Sequence, residues 1–144
     1  MRIEIKKLNP NAVIPANAHP GDAGYDLCAC TSDIVYIKPG ETVMIPTGLA
    51  IAVPHGYFGG IFARSGLASK EGLRPANCVG VADCNYRGEY KVALYNDSCE
   101  TRAVLPGQKI AQLVVMPCAD ITFEEVDELS VTERGAGGFG STGA

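Results

Sequence analysis

Turn-forming pairs recur along this chain at short intervals: Pro39-Gly40, Pro54-His55-Gly56, Gly59-Gly60, Arg87-Gly88 and Pro106-Gly107. Glycine reaches backbone conformations closed to other residues, and proline lacks a donor, so such pairs punctuate regular structure. Between them lie short runs rich in β-forming residues: Ile34–Ile37, Thr42–Ile45, Leu49–Val53, Tyr90–Tyr95, Ile110–Val115 and Ile121–Val126. Many short strands at this spacing specify an all-β sandwich or barrel. Only Ser65–Glu71 has helix-like composition, and Gly66 and Gly72 keep it short. The 144 residues, 47% hydrophobic and 19% charged, are enough for one domain with a real core.

Charge and composition exclude several partners. A net charge of −4 gives no basis for a nucleic-acid surface, although local arginines can meet a small polyanion. No apolar run approaches the roughly 20 residues that span a bilayer, so no membrane partner is expected. Met1–Lys7 alternates apolar and charged residues, a strand pattern rather than a secretory signal, so a cytoplasmic location is expected. Cys28, Cys30, Cys78, Cys84, Cys99 and Cys118 form no C-x-x-C pair, and His19 and His55 are the only histidines. Neither a zinc site nor a disulfide framework is expected, and several thiols read as small core residues.

The stretch from Arg134 to Ala144 holds five glycines with one arginine, one aromatic residue and two hydroxyls. Ordering glycine costs the most backbone entropy, so this segment cannot hold a packed conformation alone. It can wrap a polyanion through backbone N–H groups, the Arg134 fork and the Ser141 and Thr142 hydroxyls, while Phe139 offers a stacking face. A plain disordered tail is the competing reading. The division expected is an all-β domain over 1–133 and a C-terminal arm over 134–144. Gly135–Gly140 satisfies G-x-G-x-x-G, but a dinucleotide site needs a helix after it, and four residues follow Gly140. No Rossmann site is expected.

Four further clusters carry chemistry-bearing residues. In Asp22-Ala23-Gly24-Tyr25-Asp26-Leu27, Asp26 can hold a hydrated Mg²⁺ or cap a turn. In Ala63-Arg64-Ser65-Gly66-Leu67-Ala68, Ser65 is placed to N-cap the helix. A helix start beside Arg64, with Gly66 allowing close approach, also suits a phosphate. In Asn77–Glu89, Asn85–Gly88 reads as a hairpin turn, and Asp83 just before it can act as general base on a water or favour the turn. Asn77 both donates and accepts, which suits a pyrimidine edge. In Gly107–Val114, Gln112 interrupts an apolar run and needs a partner, either in the core or on a phosphate oxygen.

Taken in order, these clusters resemble the five motifs of the trimeric dUTPase family: Ala23–Leu27, Arg64–Ala68, Gly80–Asp83 with Tyr86–Gly88, Gln108–Leu113, and Arg134–Thr142. Each motif is weak alone, but five in order across nearly the whole chain are specific. The resemblance implies a jelly-roll-like β domain with a glycine-rich C-terminal arm, forming a homotrimer with three interfacial sites. It implies Mg²⁺-dependent hydrolysis of dUTP to dUMP and pyrophosphate. By that analogy Asp83 activates the attacking water, and Asn77 with the backbone of Gly80, Val81 and Ala82 reads uracil. Tyr86 packs on the deoxyribose and would clash with a ribose 2′-OH, and Lys91 flanks the pocket. Arg64, Ser65, Gly66 and Gln112 hold phosphates, and Asp26 meets the metal through water. Arg134, Gly138, Ser141 and Thr142 close over the γ-phosphate while Phe139 stacks on the base.

Two positions depart from the family pattern. Asn85 in Ala82-Asp83-Cys84-Asn85-Tyr86 removes a charge near the base, and Ala63 stands where proline is common. The alternatives are a dCTP deaminase relative, which resembles Arg-Ser-Ser at the second motif, and a nucleotide-sensing or protein-binding member without catalysis. Retention of Asp83 and Arg134 speaks against the latter.

Overall fold

Among the described residues, short runs pair into eleven strands, with one seven-residue helix. A computed structural model describes residues 1–138. In chain order the elements are β1 (Glu4–Lys7), β2 (Tyr25–Cys28), β3 (Val35–Ile37), β4 (Thr42–Pro46), β5 (Leu49–Ala52), β6 (Tyr57–Phe62), α1 (Ser65–Glu71), β7 (Leu73–Pro75), β8 (Gly80–Ala82), β9 (Lys91–Asn96), β10 (Arg102–Val104) and β11 (Lys109–Pro117). A four-stranded sheet runs β2-β11-β6-β8 and a three-stranded sheet runs β4-β9-β7, with two-stranded ribbons β1-β5 and β10-β3. Every pairing is antiparallel. This is the all-β, jelly-roll-like architecture expected. No helix among the described residues is long and apolar enough to cross a membrane.

Period-two alternation builds the core. In β9 the inward positions are Val92, Leu94 and Asn96, and in β5 they are Leu49 and Ile51. With Leu27, Ile37, Ile45, Leu73, Val104 and Ile110, the apolar ones among them form one buried cluster. Each such side chain contributes about 1.5–3 kcal/mol by leaving water. The helix closes on Gly72, whose φ of 70° lets its N–H reach the last turn's carbonyls.

Three local expectations give way to tertiary constraints. Gly59-Gly60 is not a turn: both residues lie inside β6. Their missing side chains admit neighbours, since a Cβ on Gly59 would sit 3.1 Å from Leu113 Cδ1 and one on Gly60 2.6 Å from Phe62 Cε2. Ile121–Val126 is not a strand, because a strand needs an edge to bond to and this run finds none among the described residues. Ile121 and Phe123 are left 69% and 90% exposed. Asn85–Gly88 is not a hairpin turn either: β8 and β9 belong to different sheets. The turn lies earlier, where Tyr86 N–H donates to the Asp83 carbonyl at 3.1 Å.

One buried polar residue fastens the end of β9. Asn96 is fully buried, and its Nδ2 donates to the carbonyls of Ile37 (2.8 Å) and Glu100 (2.7 Å). Its Oδ1 accepts from the Ser98 amide (3.0 Å) and hydroxyl (2.7 Å). Every hydrogen-bonding position of the amide is thereby used. Asn96→Ala should cost about 2–4 kcal/mol, because several buried groups lose partners together. Urea unfolding midpoints measure this, and a loss below about 1 kcal/mol would contradict a locking role.

Candidate functional site

Strand β11 gathers three of the sequence clusters. Gln112 stands opposite Asp26 of β2 on one side and Phe62 of β6 on the other. Phe62 leads through Ala63 into α1, so Asp26, Arg64, Ser65, Gly66 and Gln112 line one cleft of about 400 Å³ with Ala18 and Asp22–Gly24. The Asp26 carboxylate is 18% exposed and holds two cations, Lys109 Nζ at 2.6 Å and Arg64 Nε at 3.0 Å. Arg64 also donates through Nη1 to the Lys109 carbonyl at 3.3 Å. Three of its five N–H donors remain for another anion. Gln112 Nε2 donates to the Ala63 carbonyl at 2.9 Å. The amide therefore has its backbone partner and also faces the cleft.

Ser65 is not the N-cap of α1. That position belongs to Arg64, with φ −83° and ψ 126° and no side-chain cap. The chain leaves β6 extended through Arg64, which puts Ser65 in the first turn. Ser65 is exposed and lines the same cleft as Arg64 and Gly66, and no side chain caps the first turn.

A second cleft, of about 370 Å³, collects the third cluster. Asn77, Gly80, Val81, Ala82, Asp83, Tyr86 and Lys91 all line it. Gly80 stands opposite Ile61 in the ladder, and a Cβ there would press on Ile61 and on Asn77 Nδ2. Asp83 and Asn77 are exposed at the opening. The Tyr86 hydroxyl donates to the Glu89 carbonyl at 2.9 Å across Gly88, where a Cβ would sit 2.5 Å from it. Arg87 Nη1 ties the loop to the carbonyls of Cys84 (2.8 Å) and Tyr86 (2.9 Å). Met44, Ile61, Glu89 and Tyr90 complete the lining and were not anticipated from sequence. Met44 and Ile61 are brought in only by the registers of β4 with β9 and of β6 with β8.

The two clefts share no lining residue. Arg134 and Gly138 line neither. Arg134 is exposed, with its Nε donating to the Gly137 carbonyl at 2.8 Å. Phe139, Ser141 and Thr142 lie outside the described residues. No group of three or more His, Cys, Asp or Glu side chains forms a metal cage among the described residues. Asp26, with Asp22 in the same cleft, offers carboxylate oxygen to a hydrated ion that would take its remaining ligands from a polyphosphate, as Mg²⁺ does. Behind it, burial and then the Asp26 charge push the Cys28 thiol above its usual range, so this sulfur stays protonated and inert.

Residues 10–143 match the family model described as dUTPase. The chain is 50% identical over 144 residues to the deoxyuridine 5′-triphosphate nucleotidohydrolase of Thermobifida fusca, covering 99% of this chain and 79% of that protein. It is 49% identical over 143 residues to that of Nautilia profundicola, covering 99% of each. Among solved structures, the Staphylococcus bacteriophage 80alpha dUTPase with dUPNHPP superimposes with a TM-score of 0.87 at 31% identity, covering 99% of each chain. A mutant dUTPase from phage phi11 of S. aureus, described with a structural Mg(II) ion, has a TM-score of 0.83 at 26% identity over 91% of this chain and 100% of that one.

Gly24 is the tightest point of the first cleft. A Cβ there would run into Gln112 Oε1. Gly24→Ala should push the amide off the Ala63 carbonyl and cost about 1–2 kcal/mol. Combined with Gln112→Ala, the loss should be less than additive by about 1 kcal/mol in a double-mutant cycle. Strict additivity in urea unfolding would show that the two groups do not press on each other.

Proposed function

Because the chain belongs to the dUTPase family, we infer that it hydrolyses dUTP to dUMP and pyrophosphate and that its two clefts divide this substrate between them. One observation carries the division: the candidate site residues from Asp26 to Gln112 sort by chemistry. The cleft around Asp26 offers guanidinium, hydroxyl and amide donors suited to phosphate oxygens. The cleft around Asp83 offers an amide, strand backbone and a tyrosine ring suited to a base and sugar.

In this reading Asn77 and the backbone of Gly80–Ala82 bind the uracil edge, and Tyr86 lies against the deoxyribose. In that position a ribose 2′-hydroxyl would clash with its ring. Lys91 flanks the same pocket. Arg64 turns its free N–H edge, with Ser65 and Gln112, toward the phosphates, and Gly66 permits their approach because nothing lies within 4 Å of its Cβ position. Asp83 takes a proton from a water whose oxygen bonds to the α-phosphorus. The bond from that phosphorus to the bridging oxygen breaks, and pyrophosphate leaves. Positioning and charge compensation carry most of such a reaction. Bound Mg²⁺ would neutralise triphosphate charge, with Asp26 reaching it through water. Residues 134–144 form the arm that brings Arg134, Gly138, Phe139, Ser141 and Thr142 to the γ-phosphate and base.

Separate clefts within one chain support a complete site formed between copies, in a homotrimer with three interfacial sites. Two surfaces call for such a neighbour. Ile121, Phe123, Leu129 and Val131 are 69%, 90%, 87% and 99% exposed on the C-terminal segment. An apolar groove of about 360 Å³, lined by Ile3, Ile5, Ile14, Tyr25, Leu113 and Val115 among others, stands open.

Asp83→Asn should lower pyrophosphate release by about 10²-fold or more while keeping dUTP affinity within about tenfold. Steady-state turnover and calorimetric titration separate the two, and undiminished turnover would remove Asp83 as the base. Light scattering should report three times the 15.1 kDa chain mass. A fully active monomer would refute a site shared between copies.

A further inference from the structure

Tyr86, the residue that meets the sugar, does not hold its own position. Its ring is 43% exposed, on a loop between strands of different sheets. Beneath it lies Tyr90, only 2% exposed. The two ring centroids are 5.8 Å apart with the planes tilted by 51°, within the range of favourable aromatic pairs. Tyr90 itself is held firmly. Its N–H donates to the Leu49 carbonyl at 2.8 Å, and its carbonyl accepts from the Thr47 hydroxyl at 2.6 Å and the Thr47 amide at 3.3 Å. The next residue, Lys91, enters the ladder opposite Pro46.

The Tyr90 hydroxyl has no hydrogen-bond partner among the described residues. It points toward Gly59, where a Cβ would come within 3.3 Å of it. Burial first, and the neighbouring Tyr86 second, push this phenol above its usual range, so it stays neutral. A buried hydroxyl without a partner costs stability, so stability does not account for it. What Tyr90 supplies to the cleft is its ring.

We propose that Tyr90 is a positioning residue for sugar specificity: its buried ring sets the height of the Tyr86 ring and thereby the space that admits deoxyribose and refuses ribose. The proposal rests on the reading of Tyr86 as the sugar contact. Two contacts fix Tyr86 from above and below. The Glu89 carbonyl holds its hydroxyl, and the Tyr90 ring blocks it from sinking. With the lower contact removed, Tyr86 drops into the vacated space and a 2′-hydroxyl fits.

The test compares kcat/KM for dUTP and UTP in wild type, Tyr90→Phe, Tyr90→Leu and Tyr90→Met. Leu94→Ala serves as a core variant away from the loop. Wild type should prefer dUTP, and Tyr90→Phe should keep that preference with a higher unfolding midpoint. Tyr90→Leu and Tyr90→Met should lose about tenfold or more of the preference, mainly through improved KM for UTP. Leu94→Ala should lose stability with its preference intact. Unchanged preference in whichever of the Leu and Met variants folds would overturn the proposal. So would lost preference in Tyr90→Phe, since the hydroxyl and not the ring would then be acting. If neither aliphatic variant folds, Tyr86 ring-proton shifts decide: they should agree between wild type and Tyr90→Phe, and a changed Tyr86 environment there would overturn the bracing role. Absence of dUTP hydrolysis by wild type would instead refute the functional reading itself.

Discussion

Strand β11 sits between β2 and β6, and the four-stranded sheet takes its register from it. It is the longest strand, nine residues, and it is paired along both edges. Ile110, Ala111 and Leu113 are buried within it. A slip of one residue would turn these side chains to the opposite face, so burial fixes the pairing. The same register puts Gln112 opposite Asp26 and Phe62, and it puts Ile61, opposite Gly80, at the floor of the second cleft. The irregularity between Lys109 and Ala111 lets two successive residues, Ile110 and Ala111, be buried while Lys109 swings out to Asp26. Core packing and the placement of charge are therefore one decision.

The charges around Asp26 form a small balanced unit. A carboxylate with 18% exposure would be costly alone, and it sits between Arg64 and Lys109. The pairing leaves part of the Arg64 fork free, which is what an incoming polyanion needs. The chain thus presents cationic donors to phosphates while carrying a net charge of −4. Local arrangement outweighs the overall balance because neighbours at hydrogen-bond distance interact far more strongly than charges beyond a Debye length.

The second cleft is built on different physics. Its lining includes strand backbone, Gly80 without a Cβ and two tyrosines. Gly59, Gly80 and Gly88 each let another group come close: Tyr90, Asn77 and Tyr86 in turn. Specificity in such a pocket comes from shape, and shape depends on how the lining residues are held. Glu89 illustrates this. Its Oε1 accepts from the Gly48 amide at 2.9 Å and its Oε2 pairs with Lys91 at 3.4 Å, so one side chain joins the cleft to the β4–β5 turn.

Much of this was legible in the residues. Runs such as Thr42–Ile45 and Leu49–Val53, bounded by proline and glycine, became β4 and β5 within a residue or two. The helix over Ser65–Glu71 came out with the same bounds, stopped by Gly72. The motif residues through Gln112 grouped into clefts. The strands and the helix depend on local conformational cost and period, which a short stretch carries within itself, whereas the grouping followed from the family resemblance. Others belong to the fold. Gly59-Gly60 reads as a turn until Leu113 and Tyr90 are seen to need the room. Ile121–Val126 reads as a strand until the missing edge is noticed. Ser65 loses the cap position to Arg64 through the backbone angles at the exit of β6. Lys109 beside Asp26, and Tyr90 beneath Tyr86, follow from register and burial. Sequence by itself determined where this chain can extend, turn and carry charge. Only the tertiary structure decided which groups meet, because each meeting sums the packing of residues far apart along the chain.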